Sequence, residues 1–212
     1  MNLGKRLLLV RHGTTNANQD GLFLGQTDVS LNDNGRAEAQ ALAKRLSTSQ
    51  IDHLVSSDLL RARQTAEFIV EPHPNLPLNI DPRLREIHLG DFDGLPTSEV
   101  RSKHPEVIQT WVENPATARM PGAGAETLGE VQSRIWQVVE ELCSDEKEQN
   151  IMFVSHTFAI LALVCKVLDV KLDRFRNLFL DRGSITEIRW GKNGPMLAGF
   201  NDTAHMTKLN TP

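Results

Sequence analysis

The sequence predicts a three-layer α/β domain with a mostly parallel central sheet and a small helical insertion over the carboxyl ends of the strands. Three observations carry this expectation. Short, continuous apolar runs such as Leu7–Val10 and Ile151–Val154 alternate with stretches of helical periodicity, the pattern of βαβ units. These runs are apolar at every position, as strands covered on both faces must be. Between residues 90 and 124 the alternation breaks, and Pro96, Pro105, Pro115 and Pro121 punctuate the chain.

In chain order, Leu7–Val10 reads as a central strand. Asn32 is suited to cap a helix whose Ala39, Leu42, Ala43 and Leu46 fall on one face. His53–Ser56 is a second strand, followed at once by a helix over Leu59–Val70, and Leu78–Ile80 is a short strand ahead of Pro82. The 90–124 segment holds two short helical pieces, the second starting at Pro105 and expected to bury Ile108, Trp111 and Val112. Thr127-Leu128-Gly129-Glu130 is a capping box, and the helix behind it aligns Leu128, Val131, Ile135, Val138, Val139 and Leu142. Ile151–Val154 is a third buried strand with an apolar helix, Phe158–Leu168, after it. Thr186–Trp190, the turn Gly191-Lys192-Asn193-Gly194 and Met196–Phe200 read as a closing hairpin.

Composition narrows the class. The 212 residues are 40% hydrophobic and 24% charged, with a net charge of −4, which suits one domain over 1–212 with the insertion as its active-site cover. Cys143 and Cys165 stand in no zinc or CxxC spacing, and two cysteines make no disulfide scaffold. The longest apolar run, Phe158–Cys165, is well short of the ~18 residues that span a bilayer, and Leu7–Val10 is no signal-peptide core. The expectation is a cytoplasmic protein without a membrane partner. With an isoelectric point near 6.0 and no basic run, a nucleic-acid partner is not expected either.

Three polar clusters occupy one topological position. Arg11-His12-Gly13 follows the first strand, Ser57-Asp58-Leu59-Leu60-Arg61 the second, and Ser155-His156 the third. Ligands of open α/β sheets bind beyond the carboxyl ends of the strands, so two histidines and two arginines converge on one crevice. Arginine presents a planar fork of donors that matches phosphate or carboxylate oxygens, and helix N-termini add backbone N–H groups. Such a crevice suits an oxyanion, above all a phosphoryl group. Each cluster alone also has a plain reading: His156 as a core histidine, Arg61 on a solvated helix face, Glu86 as a surface carboxylate.

These residues fall in blocks that resemble the histidine phosphatase superfamily, the phosphoglycerate mutase-like proteins. The blocks are Leu8-Leu9-Val10-Arg11-His12-Gly13-Thr14-Thr15-Asn16-Ala17-Asn18, then Gly25-Gln26-Thr27-Asp28-Val29-Ser30-Leu31 with Gly35. Ser57-Asp58-Leu59-Leu60-Arg61-Ala62-Arg63-Gln64-Thr65-Ala66, Leu84-Arg85-Glu86-Ile87-His88-Leu89-Gly90-Asp91-Phe92-Asp93-Gly94 and Phe153-Val154-Ser155-His156 follow in order. The resemblance implies His12 as the phosphorus-attacking nucleophile, with its other nitrogen held by a backbone carbonyl. It implies Arg11, Arg61 and His156 on the phosphoryl oxygens, with Asn18 and the Thr157 N–H as further donors and Leu24 and Gly25 lining the pocket. Glu86 is the implied acid and base, and that role requires an upward pKa shift. No metal and no cofactor is implied, since the arginines and His156 supply the positive charge.

The sequence departs from the family pattern at Thr14, where many members carry an acidic residue, and at Thr157, where a glycine often follows the histidine. Within the family, a phosphatase acting on a small phosphorylated metabolite is the first expectation and a cofactor-dependent phosphoglycerate mutase the alternative. There is no tyrosine in the chain and no adjacent arginine pair in the insertion, whereas Pro121-Gly122-Ala123-Gly124-Ala125-Glu126-Thr127 is similar to an element of the small phosphatases, among them α-ribazole and broad-specificity phosphatases. Two further readings are a catalytically silent phospho-ligand binder and a metal hydrolase using His12, His88 and His156. Candidate specificity residues are Phe23, Leu24, His88, Leu95, Trp111, Arg119 and Met120. The chain is expected to be a monomer or a homodimer.

Overall fold

The computed structural model describes residues 4–143 and 149–206. Strand β1 (Lys5–Arg11) lies inside the sheet, parallel to β4 (Gln149–Ser155) on one side and antiparallel to β5 (Ile185–Gly191) on the other. Beyond β4 come β2 (His53–Ser56) and β3 (Leu78–Ile80), both parallel, and beyond β5 the antiparallel β6 (Gly194–Asp202). The order is therefore β3-β2-β4-β1-β5-β6: a parallel core with the expected hairpin at one edge.

Both faces of the sheet are covered, as the unbroken apolar runs require. On one face Leu8, Val10, Met152 and Val154 pack against Leu42 and Leu46 of α2 (Asp33–Leu46) and Ala62, Ala66 and Ile69 of α3 (Leu60–Val70). On the other, Leu7, Leu9, Ile151 and Phe153 meet Val131, Ile135 and Val138 of α6 (Leu128–Cys143) and Ile160 and Leu163 of α7 (Thr157–Val167). Successive strand residues point to opposite faces, so a run of four apolar residues feeds both cores at once. Asn32 caps α2, its side chain accepting from Gly35 N–H. Two shorter helices of the insertion, Thr97–Lys103 and Pro105–Glu113, are numbered α4 and α5, and the single turn Asn16–Gln19 after β1 is α1.

Two local expectations need correction. The helix after β2 begins at Leu60, because Leu59 is an extended cap. In α5, Trp111 is buried but Val112 is 41% exposed. Adjacent helical residues sit about 100° apart around the axis, so a short amphipathic helix seated on Trp111 turns Val112 to solvent.

Pairing register sets the position of the site. Arg11 lies opposite Ser155 and Ser56 opposite Val154, so residues 12, 57 and 156 leave three neighbouring strands at one level. Among the described residues no helix is long and apolar enough to cross a membrane.

The capping box of α6 is formed, with Thr127 Oγ1 accepting from Glu130 N–H at 3.1 Å and Glu130 Oε2 accepting from Thr127 N–H at 2.9 Å. Thr127→Ala removes one half of it and is expected to lower stability by about 1 kcal/mol in urea unfolding.

Candidate active site

His12 is buried at the end of β1, and its Nδ1 lies 2.7 Å from the carbonyl of Gly13. A carbonyl only accepts, so Nδ1 carries the proton and Nε2 keeps its lone pair. That lone pair receives Arg61 Nε–H at 3.3 Å. Burial and the charges of Arg61 and Arg11 hold the His12 pKa well below the usual histidine value, so the imidazole is neutral. The loop that carries it fits closely against α2: a Cβ on Gly13 would meet the Gly35 carbonyl at 2.6 Å.

Arg61 has no exposed surface. Besides His12 it donates through Nη2 to Gly25 O at 2.7 Å and through Nη1 to Thr27 O at 3.0 Å. Those carbonyls are oriented by Asp93, whose carboxylate accepts from the N–H groups of Gly25, Gln26 and Thr27 and from the Thr27 hydroxyl. A side chain at residue 25 would meet Asp93 Oδ2 and Ile87 O, each at 2.7 Å, which explains the glycine. Gly25 thus holds Arg61 through its carbonyl.

Arg11 donates through Nη1 to Leu180 O, and its Nε is buried without a protein partner. Burial lowers its pKa to about 10, partly offset by Glu86, so it stays charged at neutrality. His156 caps α7, and its ring lies 5.0 Å from that of His12. Its Nε2 is 2.8 Å from Ser57 Oγ, which itself accepts from Leu59 N–H. The other ring nitrogen, Nδ1, is buried with no protein partner. Two buried nitrogens without protein partners, Arg11 Nε and His156 Nδ1, beside the fully buried guanidinium of Arg61, suit a pocket for an anion.

Glu86 is buried across the cavity. Its carboxylate accepts from Ile87 N–H at 2.9 Å and from Phe158 N–H, in the first turn of α7, at 3.0 Å. Burial raises its pKa; the two backbone bonds and the arginines pull in the other direction without cancelling the rise. The backbone is clamped from α6, where Arg134 donates to the carbonyls of Arg83, Arg85 and Glu86 and pairs with Glu126 at 2.8 Å. Arg134, Glu126 and Asp93 are positioning residues that the sequence reading did not single out, although Asp93 lies in the quoted acid block and Glu126 in the Pro-Gly element.

The cavity, about 510 Å³, is lined by Arg11, His12, Asn18, Glu86 and Thr157, with Leu24, Phe23 and Trp111 along its walls. Asn18 Oδ1 accepts from Thr15 N–H in a capping box at α1, which leaves the amide N–H₂ as its donor. Thr14 is explained by Glu38 of α2, whose carboxylate takes both the Thr14 N–H at 2.7 Å and its hydroxyl at 2.8 Å, while Arg182 donates to Thr14 Oγ1. The acidic group at this loop thus comes from another element. Four of the candidate specificity residues lie elsewhere. Met120 is buried in the core, Leu95 is part-exposed on the surface, Arg119 binds Glu130 and Ala125 O, and His88 accepts from Gly90 N–H through Nδ1. Instead the walls include Arg101, Phe158, Phe175 and Arg176. Since His88 stands apart from His12 and His156, the three do not form a metal triad, and among the described residues no group of three His, Cys, Asp or Glu could hold a metal ion.

Fold and pocket together define a phosphoryl-handling α/β protein with two facing imidazoles. The profile of the histidine phosphatase superfamily (branch 1) matches residues 7–203. The chain is 32% identical over 201 residues to phosphoserine phosphatase 1 of Hydrogenobacter thermophilus, covering 95% of this chain and 94% of that one. It is 35% identical over 196 residues to phosphoglycerate mutase-like protein 4 of Arabidopsis thaliana, covering 87% and 84%. The solved α-ribazole phosphatase of Shigella flexneri superposes with a TM-score of 0.82 at 27% identity, over 93% of this chain and 96% of that one. The chain belongs to the histidine phosphatase superfamily, branch 1, and its enzyme class is phosphoric monoester hydrolase.

The buried neutral histidines set a pH dependence of stability. Burial pushes His12 and His156 well below the usual value, so below about 6.5 the unfolded chain binds protons that the folded protein refuses. Stability is therefore expected to fall as pH drops through that value. Urea unfolding across pH should show the slope in the wild type and lose much of it in the double variant His12→Asn, His156→Asn.

Proposed function

We propose that this chain is a metal-independent phosphomonoester hydrolase that works through a phosphohistidine on a small phosphorylated metabolite. The observation that carries the reading is the tautomer of His12: Nδ1–H is held on Gly13 O, so the lone pair sits on Nε2, in the pocket with the arginines and across from Glu86. Nε2 attacks phosphorus and forms the N–P bond, and the ester P–O bond breaks with its electron pair going to the leaving oxygen. Glu86 delivers its proton to that oxygen, and its raised pKa supports this role. Arg61 Nε–H, which donates to the nucleophile in the free protein, transfers to a phosphoryl oxygen as Nε2 engages phosphorus. Arg11 Nε and His156 Nδ1 have no protein partners; with the His156 proton placed on Nδ1, both donate to the other oxygens, with Asn18 and the Thr157 N–H alongside. Water then attacks the phosphohistidine, Glu86 accepts its proton, the P–N bond breaks with its pair returning to Nε2, and inorganic phosphate leaves.

Phosphoglycerate mutase activity is the second reading, favoured by the name of the Arabidopsis relative. Product analysis separates the two, since a mutase returns the phosphoryl group to glycerate and a hydrolase delivers it to water. A silent binder would have no use for a buried acid facing a neutral nucleophile.

Phosphate release in EDTA from an aryl phosphate, 3-phosphoglycerate, sugar phosphates, phosphoserine and α-ribazole phosphate tests the proposal. His12→Ala is expected to lose about 10³-fold or more in kcat. Glu86→Gln is expected to lose about 10²- to 10⁴-fold on alkyl esters, whose leaving oxygens need the proton, and much less on the aryl ester. Unchanged release in His12→Ala would refute the covalent route.

A further inference from the structure

Arg101, in the last turn of α4, and Arg176, in the turn Leu172–Asn177, come from segments far apart in sequence and line the same cavity as His12 and Glu86. Both residues are exposed, whereas His12 and Glu86 are buried, so the arginines mark the solvent end of the cavity. Among the other exposed arginines, Arg45 and Arg119 each hold a carboxylate, while Arg36, Arg63 and Arg174 lie on the outer surface away from the cavity walls. Neither Arg101 nor Arg176 has an acidic partner among the described residues. Arg176 instead lies over Trp111, 4.8 Å from the ring centre, and over Phe175 at 5.0 Å, with Nη1 donating to Val112 O at 3.4 Å. Its pKa is lowered by partial burial and then by the charge of Arg101, so the two cations repel.

A third donor belongs to this end. Trp111 is 4% exposed and lines the cavity, yet its Nε1–H has no acceptor. An indole N–H can only donate, and a buried one without a partner calls for a ligand atom. Between this group and the phosphoryl pocket stands an aromatic wall: Phe158, whose amide binds Glu86, packs edge-on against Trp111 at 5.6 Å, and Phe175 closes the cluster. A cavity of about 510 Å³ is in the size range that accepts a whole small molecule rather than a phosphoryl group alone.

We propose that Arg101, Arg176 and the Trp111 indole N–H form a second anion-binding pole, so that the enzyme prefers phosphomonoesters carrying a carboxylate or second phosphate group beyond an apolar segment. The proposal rests on the phosphomonoesterase reading for its substrates. The phosphoryl group occupies the buried end, the apolar segment lies along the aromatic wall, and the distal anion neutralises the two guanidiniums. The planar fork of arginine suits carboxylate and phosphate alike.

Three phosphate esters of para-substituted benzyl alcohols test it: 4-carboxybenzyl phosphate, 4-phosphonobenzyl phosphate and the methyl ester of the first, which has no distal charge. In the wild type, kcat/KM for the better charged ester should exceed that of the methyl ester by about 10- to 100-fold, and whichever charged ester leads identifies the distal group. The ratio should fall to about one in the double variant Arg101→Gln, Arg176→Gln, be partly retained when both are replaced by lysine, and drop a few-fold in Trp111→Phe. Arg101→Gln alone, a surface change, should also reduce the ratio, which keeps the test sound if Arg176→Gln disturbs the aromatic cluster. A wild-type ratio near one, or one the glutamines leave unchanged, overturns the pole. If the wild type cleaves none of the three esters, the phosphomonoesterase reading fails separately. Calorimetry with the matching benzylphosphonates then decides: arginine-dependent preference for the charged analogue upholds the pole, and equal affinity overturns it.

Discussion

Arg61 is a fully buried cation whose hydrogen-bonding neighbours are two carbonyls and an imidazole rather than a carboxylate. Isolating a charge from water is expensive unless fixed dipoles replace the solvent, and here the Gly25 and Thr27 carbonyls do so. They can face the guanidinium only because Asp93 gathers the amides of residues 25 to 27 from the far side of the loop. The consequence reaches the nucleophile. Burial, with Arg61 and Arg11 beside it, disfavours a second proton on His12, and the Gly13 carbonyl decides which nitrogen keeps the first. A chain of purely structural contacts, Asp93 to loop to Arg61, thus ends in a chemical property.

The acid is set from the other side of the sheet. Glu86 follows Leu84 and precedes Ile87, both in the core shared with α6 and α7, and Arg134 clamps the intervening carbonyls. His12 and Arg61 are instead held by contacts with α2, α3 and the 25–27 loop. The two halves meet because the parallel register brings the strand ends level. Displacing either layer by a fraction of a helical turn would separate nucleophile from acid while leaving each locally intact.

What the sequence revealed about this arrangement follows from how far each signal reaches. The strands around Leu7–Val10 and Ile151–Val154, the Asn32 cap and the Thr127–Glu130 box are written in a few consecutive residues, and the structure has them all. The convergence of His12, Arg61 and His156 was legible because strand-end position is itself a topological rule. The cavity walls were not. The turn 172–177 has no periodic pattern, so nothing local indicates that Arg176 stacks on Trp111 or lines the same cavity as Arg101. An adjacent pair of arginines can be sought in a sequence; one assembled from two segments cannot. His88 and Met120 looked like wall residues because of their place in the chain, but the backbone turns them toward Gly90 and the core. Gly25 was expected beside the ligand, and only the position of its carbonyl shows that it serves Arg61.

The sheet order also dictates when the enzyme comes into being. β1 is synthesised well before the strands that flank it, residues 149–155 and 185–191. Four successive apolar side chains, Leu7 to Val10, have no partner strand until most of the polypeptide exists, an interval of roughly 10–30 s at ordinary rates of synthesis. Contacts of such long range close late and slowly. The nascent β1 is therefore a sticky segment that needs shielding, and a chain that stops before residue 149 lacks the strand that sets His156 beside His12.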